Sequence, residues 1–320
     1  MATLFAGCTA NPNVYVAGWE DTGTGRIAKL WKNGKPQKFS NAKGQDVVAH
    51  CVFVSAKNDV YTVGYDAKSF GSVAKLWKNG VEQSLADGRY LSEANSVYVA
   101  NNNVYVAGRE TNISKFWINA TAKNLTDGSY SACALSIFVS GNDVYIAGRE
   151  QNAQKNHVAK LWKNGIEQSL TDGTYNASAR SVFVYKNDTY IAGYEENARG
   201  RSVAILWKNG IAQSLSDGNY NAKANSLYVS DGNVYVVGYG HTAQRRGIAK
   251  LWENGVEKDL THGTYEAEAY SVYVLDNDVY VAGTEKNDFG VFVAKLWVNG
   301  VSQDFSGGER DAKAFSVYVK

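Results

Sequence analysis

The sequence predicts a seven-bladed β-propeller, and three observations carry that prediction: a tryptophan motif repeated seven times, strand-forming residues throughout each repeat, and an unpaired strand closing the array. The motif Ala28-Lys29-Leu30-Trp31-Lys32-Asn33-Gly34 returns verbatim at 74–80 and 159–165. Variants carry the others, so that Trp31, Trp77, Trp117, Trp162, Trp207, Trp252 and Trp297 lie 46, 40, 45, 45, 45 and 45 residues apart. A period of that length holding four short strands is one propeller blade.

Taken in order, Val14-Tyr15-Val16-Ala17-Gly18 predicts a strand, because β-branched and aromatic residues suit a pleated, packed surface. A loop and the Ala-Lys-Leu-Trp strand follow, and Asn33-Gly34 predicts a two-residue hairpin turn. A short outer strand comes next, clearest in Val81 to Leu85 and Ile166 to Leu170. The turn Thr171-Asp172-Gly173 then leads through Tyr175 and the small residues Ala177-Ser178-Ala179 to an inner strand, Ser181-Val182-Phe183-Val184. Asn187-Asp188 turns that strand back into Thr189-Tyr190-Ile191-Ala192-Gly193. These runs are apolar almost without alternation, the pattern of a sheet covered on both faces by neighbouring sheets. A solenoid would need atypical polar caps, which the array lacks. Instead it opens on Val14 to Gly18 with no inner strand before it and finishes on Ser316-Val317-Tyr318-Val319. If the last strand completes the first blade, the ring closes and no sheet edge is left to aggregate. Residues 1–13 stand outside the array, as leader or disordered tail, and 14–320 form the propeller.

Composition narrows the function. The 320 residues carry a formal charge of only +2, which gives no concentrated basic face for a nucleic acid. No run approaches 18 apolar residues, so no transmembrane span is expected. Cys8, Cys51 and Cys133 form an odd set without metal-ligand spacing; the latter two sit in or beside strands as small hydrophobes, and no disulfide framework is expected. The four histidines are scattered, and neither a phosphate-binding loop nor a nucleophile elbow is present. The Asp-Gly turns at Asp87, Asp127, Asp172 and Asp217 lack the dense oxygen ligands of a calcium site and are read as turns. No catalytic residue, metal or cofactor is therefore assigned, although enzymatic propellers that gather residues over the channel remain an alternative.

The tight turns share one face of each blade, and the variable loops and blade-to-blade connections share the other, where a rigid scaffold most often carries function. Three sets of positions on that face are candidates. The residues preceding the inner-strand Ser or Cys (His50, Asn95, Leu135, Arg180, Asn225, Tyr270 and Phe315) are expected to ring the channel mouth. A tyrosine follows the Asp-Gly turn in five copies (Tyr90, Tyr130, Tyr175, Tyr220 and Tyr265), with Gln45 and Arg310 in the other two. The third set follows each Ala-Gly or Val-Gly: Trp19, Tyr65, Arg109, Arg149, Tyr194 and Tyr239, mostly with an acid next, as in Glu20, Asp66, Glu110, Glu150 and Glu195. An aromatic ring beside a carboxylate and a guanidinium is sugar-binding chemistry, and the alternative is that these groups simply pack and satisfy local donors. Arg199, Arg201, Arg245 and Arg246 make two neighbouring loops basic, either as a solvated face or toward an anionic polymer.

The Leu-Trp-Lys-Asn-Gly and Val-Tyr-Val-Ala-Gly signatures resemble those of uncharacterised bacterial surface or periplasmic repeat propellers, rather than WD40 or kelch repeats. Leu4-Phe5-Ala6-Gly7-Cys8 resembles the end of a bacterial lipoprotein signal, with Phe5 departing from the usual residue, which implies Cys8 as a lipid-anchoring position in the cell envelope. The expected function is a monomeric, non-enzymatic binding module for a glycan or other cell-surface polymer. A protein–protein scaffold in a surface assembly is the alternative.

Overall fold

A computed structural model describes residues 11–37, 46–68, 71–244 and 246–320; Cys8, Gln45 and Arg245 lie outside them. Among the described residues the chain forms seven four-stranded antiparallel sheets, with inner strands packed blade to blade around a central channel. Blade 5 is typical: from the axis outward, Ala177–Tyr185, Asp188–Glu196, Ser202–Lys208 and Ile211–Ser214. Blade 1 draws on both chain ends. Its inner strand, Ala312–Val319, pairs antiparallel with Val14–Asp21, and Arg26–Lys32 and Lys35–Pro36 follow. The backbones of Asn13 and Lys320 exchange hydrogen bonds of 2.6 and 2.9 Å, and Val52 N of blade 2 donates to Ser316 Oγ at 3.1 Å. The ring is thus closed by the C-terminal strand. No helix among the described residues is long and apolar enough to cross a membrane.

Seven hydrophobic clusters fill the seven blade interfaces, each built around one motif tryptophan. Trp207 of blade 5 packs against Tyr145, Ala147 and Leu161 of blade 4, and Trp31 of blade 1 packs against Tyr280 and Leu296 of blade 7. All seven indoles are 0–2% exposed, so they account for much of the apolar area that drives the blades together.

The Asn-Gly turns place both residues at positive φ (Asn164 at 52°, Gly165 at 82°), the geometry of a type I′ hairpin. The asparagine also ties one turn to the next. Asn164 Oδ1 accepts from Val144 N at 2.9 Å while Nδ2 donates to Asp143 Oδ1 at 2.8 Å. The same two contacts recur in every blade, from Asn33 to Asn299. These ties between turns are a physical reason for the uniformity of this face among the repeats, although clefts of about 450 and 350 Å³ open on it beside Asn79 and Asn101.

Two strand boundaries differ from those the sequence suggests. The second strands do not stop at the Ala-Gly but run on, in blade 4 to Gln151. Trp19, Glu20, Tyr65, Asp66, Arg109, Arg149, Glu150, Tyr194, Glu195 and Tyr239 are therefore strand residues and not loop residues. The third strand begins early enough to pair with them, as in Arg149 opposite Ala159 and Glu150 opposite Val158. The inner strands likewise start upstream, at Ala177 and not Ser181 in blade 5, because the chain passes through a bulge that hides the strand period.

Candidate binding site at the channel mouth

In every blade the pairing of inner and second strands jumps over one residue, and the seven residues skipped are His50, Asn95, Leu135, Arg180, Asn225, Tyr270 and Phe315. The bulge explains the invariant glycine of the second strand. A Cβ added at Gly193 would lie 2.0 Å from the Ser178 carbonyl oxygen, and the seven equivalent glycines show 1.8 to 2.3 Å. Only glycine admits the bulged backbone at that distance. The skipped residue, freed from the ladder, is re-aimed. All seven, joined by Arg149, line one cavity of about 340 Å³ at the axis.

The channel narrows beyond this cavity. One residue further along each inner strand, a serine Oγ accepts a backbone N–H of the adjoining blade, as Ser136 does from Val182 at 3.2 Å. Six serines make this seam at 3.1 to 3.4 Å, and Cys51 stands at the seventh position. Two residues on, Phe53, Tyr98, Phe138, Phe183, Tyr228, Tyr273 and Tyr318 form an unbroken circle of aromatic rings, each centroid 4.6 to 4.9 Å from the next. Burial raises the pKa of the Tyr98, Tyr228, Tyr273 and Tyr318 hydroxyls, and Tyr98 is pushed up to about 12 by burial and by the charges of Tyr318 and Tyr228 elsewhere in the circle. These hydroxyls sense one another across the axis, and the circle lies below the funnel as an aromatic floor.

A pH dependence follows. A tyrosine whose pKa is raised on folding contributes stability that is complete below its unfolded value of about 10 and is lost as pH rises through the folded value. Melting temperatures measured from pH 9 to 12 are expected to fall above pH 10. Tyr98→Phe, which places at this position the residue already present in blades 2, 4 and 5, should flatten that fall. An unchanged slope would remove Tyr98 from the account.

The funnel above the floor is chemically divided. One side is a continuous aromatic wall: Tyr270 to Phe315 at 5.0 Å, Phe315 to His50 at 5.8 Å and His50 to Tyr65 at 5.4 Å. Burial holds the His50 pKa down, and its Nδ1 lies 3.1 Å from the Ala94 carbonyl oxygen, so the neutral ring donates there and keeps Nε2 as an acceptor. The other side is polar. Arg180 Nη1 donates to Asn225 Oδ1 at 2.7 Å, and Asn225 Nδ2 donates to Glu268 Oε1 at 3.0 Å. Arg180 also lies 5.3 Å over the Tyr194 ring, while its Nε is buried with no acceptor among the described residues. Nearby carboxylates serve other cations: Glu93 clasps Arg109 through two bonds of 3.0 and 3.1 Å, Glu150 faces Lys160 at 3.8 Å, and Glu266 holds Lys286 at 2.7 Å. Arg149 and Arg180 have no ion-pair partner among the described residues.

The remaining candidates fall elsewhere. Trp19 and Tyr194 are buried, with Arg26 5.5 Å over the first and Lys223 4.1 Å over the second. Tyr239 shares a smaller cavity of about 150 Å³ with Tyr270 and Lys313. The acids after the aromatic position turn to the lysine of the Ala-Lys-Leu-Trp strand: Glu20 to Lys29 at 2.6 Å, Asp66 to Lys75 at 3.9 Å, Glu285 to Lys295 at 3.3 Å, and Glu110 to Lys115. Two blades break this pair. Ile205 leaves Glu195 without its lysine, and burial raises the Glu195 pKa. Gly240 leaves Lys250 to Glu257 and Asp259, and a cleft of about 450 Å³ opens there beside Tyr220. Tyr90, Tyr130, Tyr175, Tyr220 and Tyr265 stand at the rim, 36 to 61% exposed. The Asp-Gly carboxylates cap their own turns, as Asp172 does by accepting from Thr174 N at 2.8 Å, which lowers the Asp172 pKa. Among the described residues no three His, Cys, Asp or Glu side chains gather in metal-holding geometry. The aromatic floor was not anticipated, although its signal, one Tyr or Phe at the same phase of every repeat, is present in the sequence.

No protein-family model matches the chain, and no curated protein sequence matches it. Solved structures do. The β-propeller domain of the Trilobed protease from Pyrococcus furiosus, described as having an open velcro topology, superposes with a TM-score of 0.54 at 11% identity, covering 92% of this chain and 99% of that one. The extracellular domain of a protein described as a hybrid two-component system from B. thetaiotaomicron gives a TM-score of 0.51 at 10% identity, covering 86% of this chain and 34% of that one. At such identities the likeness speaks for the fold alone: the chain is a seven-bladed β-propeller with distant structural relatives.

Proposed function

We propose that the protein is a non-enzymatic binding module that recognises a glycan or other cell-surface polymer on the face opposite the Asn-Gly turns. The observation that carries this reading is the row of rim tyrosines. Five successive blades expose a tyrosine at the same position, 36 to 61% accessible, where packing alone would have buried it. An exposed phenol offers a flat face to the apolar side of a pyranose and a hydroxyl to its polar edge. Repetition around a ring converts weak single contacts into avidity. The polar cleft beside Tyr220, about 450 Å³ and lined by Asp217, Asn221 and His241, is such a pocket on the rim. A position in the bacterial envelope, with Cys8 as a lipid anchor, is part of the same proposal.

A protein scaffold is the second reading, favoured by the outer strands. Val81, Ile166, Ile211, Val256 and Val301, each first in its strand, are 63 to 76% exposed around the periphery. A glycan array separates the two. Binding is expected for the wild type, weakened about two- to tenfold by Tyr175→Ala or Tyr220→Ala, since an aromatic contact is worth about 0.5–1.5 kcal/mol. A blank array, or a signal indifferent to both substitutions, would refute the glycan reading.

A further inference from the structure

We propose that the axial funnel is a chain-end site for an acidic sugar, whose ring lies against the Tyr270–Phe315–His50 wall and whose carboxylate is taken by Arg149 and Arg180. The inference deepens the glycan reading and rests on it. The funnel is one concave cavity on the axis above the aromatic circle, where a terminal residue or side branch would enter end-on. Its volume, about 340 Å³, is at the small end of ligand pockets, which suits one ring-sized group.

The charge argues for an anion. Arg149 and Arg180 face the same concave space without a carboxylate partner among the described residues, and Arg180 Nε is buried with no acceptor. An unsatisfied buried donor is costly, and a guanidinium in a concave site attracts a planar oxyanion through paired N–H groups. Glu268 lies behind the polar side, bridged to Arg180 through the Asn225 amide and outside the cavity lining.

The variation among repeats argues for a ligand at this position. Flanking residues hardly change, with alanine before the bulge in all seven copies and serine after it in six, yet the bulged residues are of six types. A purely structural ring would be free to repeat one residue. Here aromatic, amide and guanidinium groups are segregated around the axis, giving one asymmetric site in a pseudo-symmetric scaffold.

Titration calorimetry tests this with glucuronate, galacturonate and N-acetylneuraminate, and with glucose as the neutral counterpart. At least one acidic sugar is expected to bind more than tenfold tighter than glucose. Arg180→Gln should weaken it by about ten- to a hundredfold, the scale of a hydrogen bond to a charged group. Leu135→Trp, which fills the funnel without altering its charge, should also abolish binding, and thermal melts establish that both variants fold. Lys163→Gln, beside the Asn-Gly turn on the opposite face, should leave binding of the acidic monosaccharide intact. Equal affinity for glucose, or binding that survives both funnel variants, would overturn the inference. Rim-dependent binding of neutral glycans with no acidic sugar bound would overturn it and leave the rim reading standing, whereas no binding of any sugar would sink both.

Discussion

Deleting residues 312–320 is expected to abolish the cooperative native state. These residues are the inner strand of blade 1, and they contribute Ala312, Ala314, Val317 and Val319 to the hydrophobic cluster between blades 7 and 1. Their loss would leave the inner edge of Val14–Asp21 unpaired and Trp31 without part of its packing, and would remove Tyr318 from the floor and Phe315 from the funnel. An unpaired edge beside an opened apolar interface invites association with another chain. Circular dichroism and size-exclusion chromatography should report loss of the sharp melt together with aggregation, and a peptide of residues 312–320 should restore part of the signal. A truncated monomer melting like the wild type would show that closure is dispensable. The propeller fold does not itself demand closure, since the Pyrococcus furiosus domain is described as open velcro. The demand here comes from the particular cluster that the last strand completes.

Gly193→Ala is expected to destabilise the protein by about 3 kcal/mol or more, at or above the upper end of ordinary overpacking. The added methyl would meet Ser178 O at 2.0 Å and Trp207 Cζ3 at 3.0 Å, an obstruction of backbone on one side and a fully buried indole on the other. Neither can yield cheaply, because Ser178 is held in the ladder opposite Tyr194. Relief would require the bulge to flatten, which would also swing Arg180 out of the funnel, so ligand binding should fail with stability. Gly307→Ala is the control: no atom lies within 4 Å of a Cβ there, and its melting temperature should be nearly that of the wild type. If both variants melt alike, close approach of the inner strand is not what fixes glycine at this position.

Much of the fold was legible in the chain because its signals are local. Trp31 and its six counterparts mark the blade interfaces, the Asn-Gly pairs mark the hairpins, and the lone inner strand at the end marks the closure. The ring of residues before the inner-strand Ser or Cys was legible too, and the structure gathers all seven around one cavity. The second and inner strands ran longer than their sequence period suggested, because a bulge shifts the alternation by one residue and disguises a continuous strand as two pieces. The acids at Glu20, Asp66 and Glu150 looked like ligand groups, and the structure turns them to the motif lysines. That pairing is between strands, and a reading along one strand does not see it.

What the sequence determined by itself was the repeat, its count, its strand content and the meeting of its ends, since each follows from spacing and residue type along the chain. How the side chains of the axial ring meet, and which others join them, was decided only by the tertiary structure. Residues about 45 apart converge on the axis because seven bulges aim them there, and the same convergence turns seven separate aromatics into a floor. Proximity across blades is created by ring closure, a property of the assembled sheets that no single repeat contains.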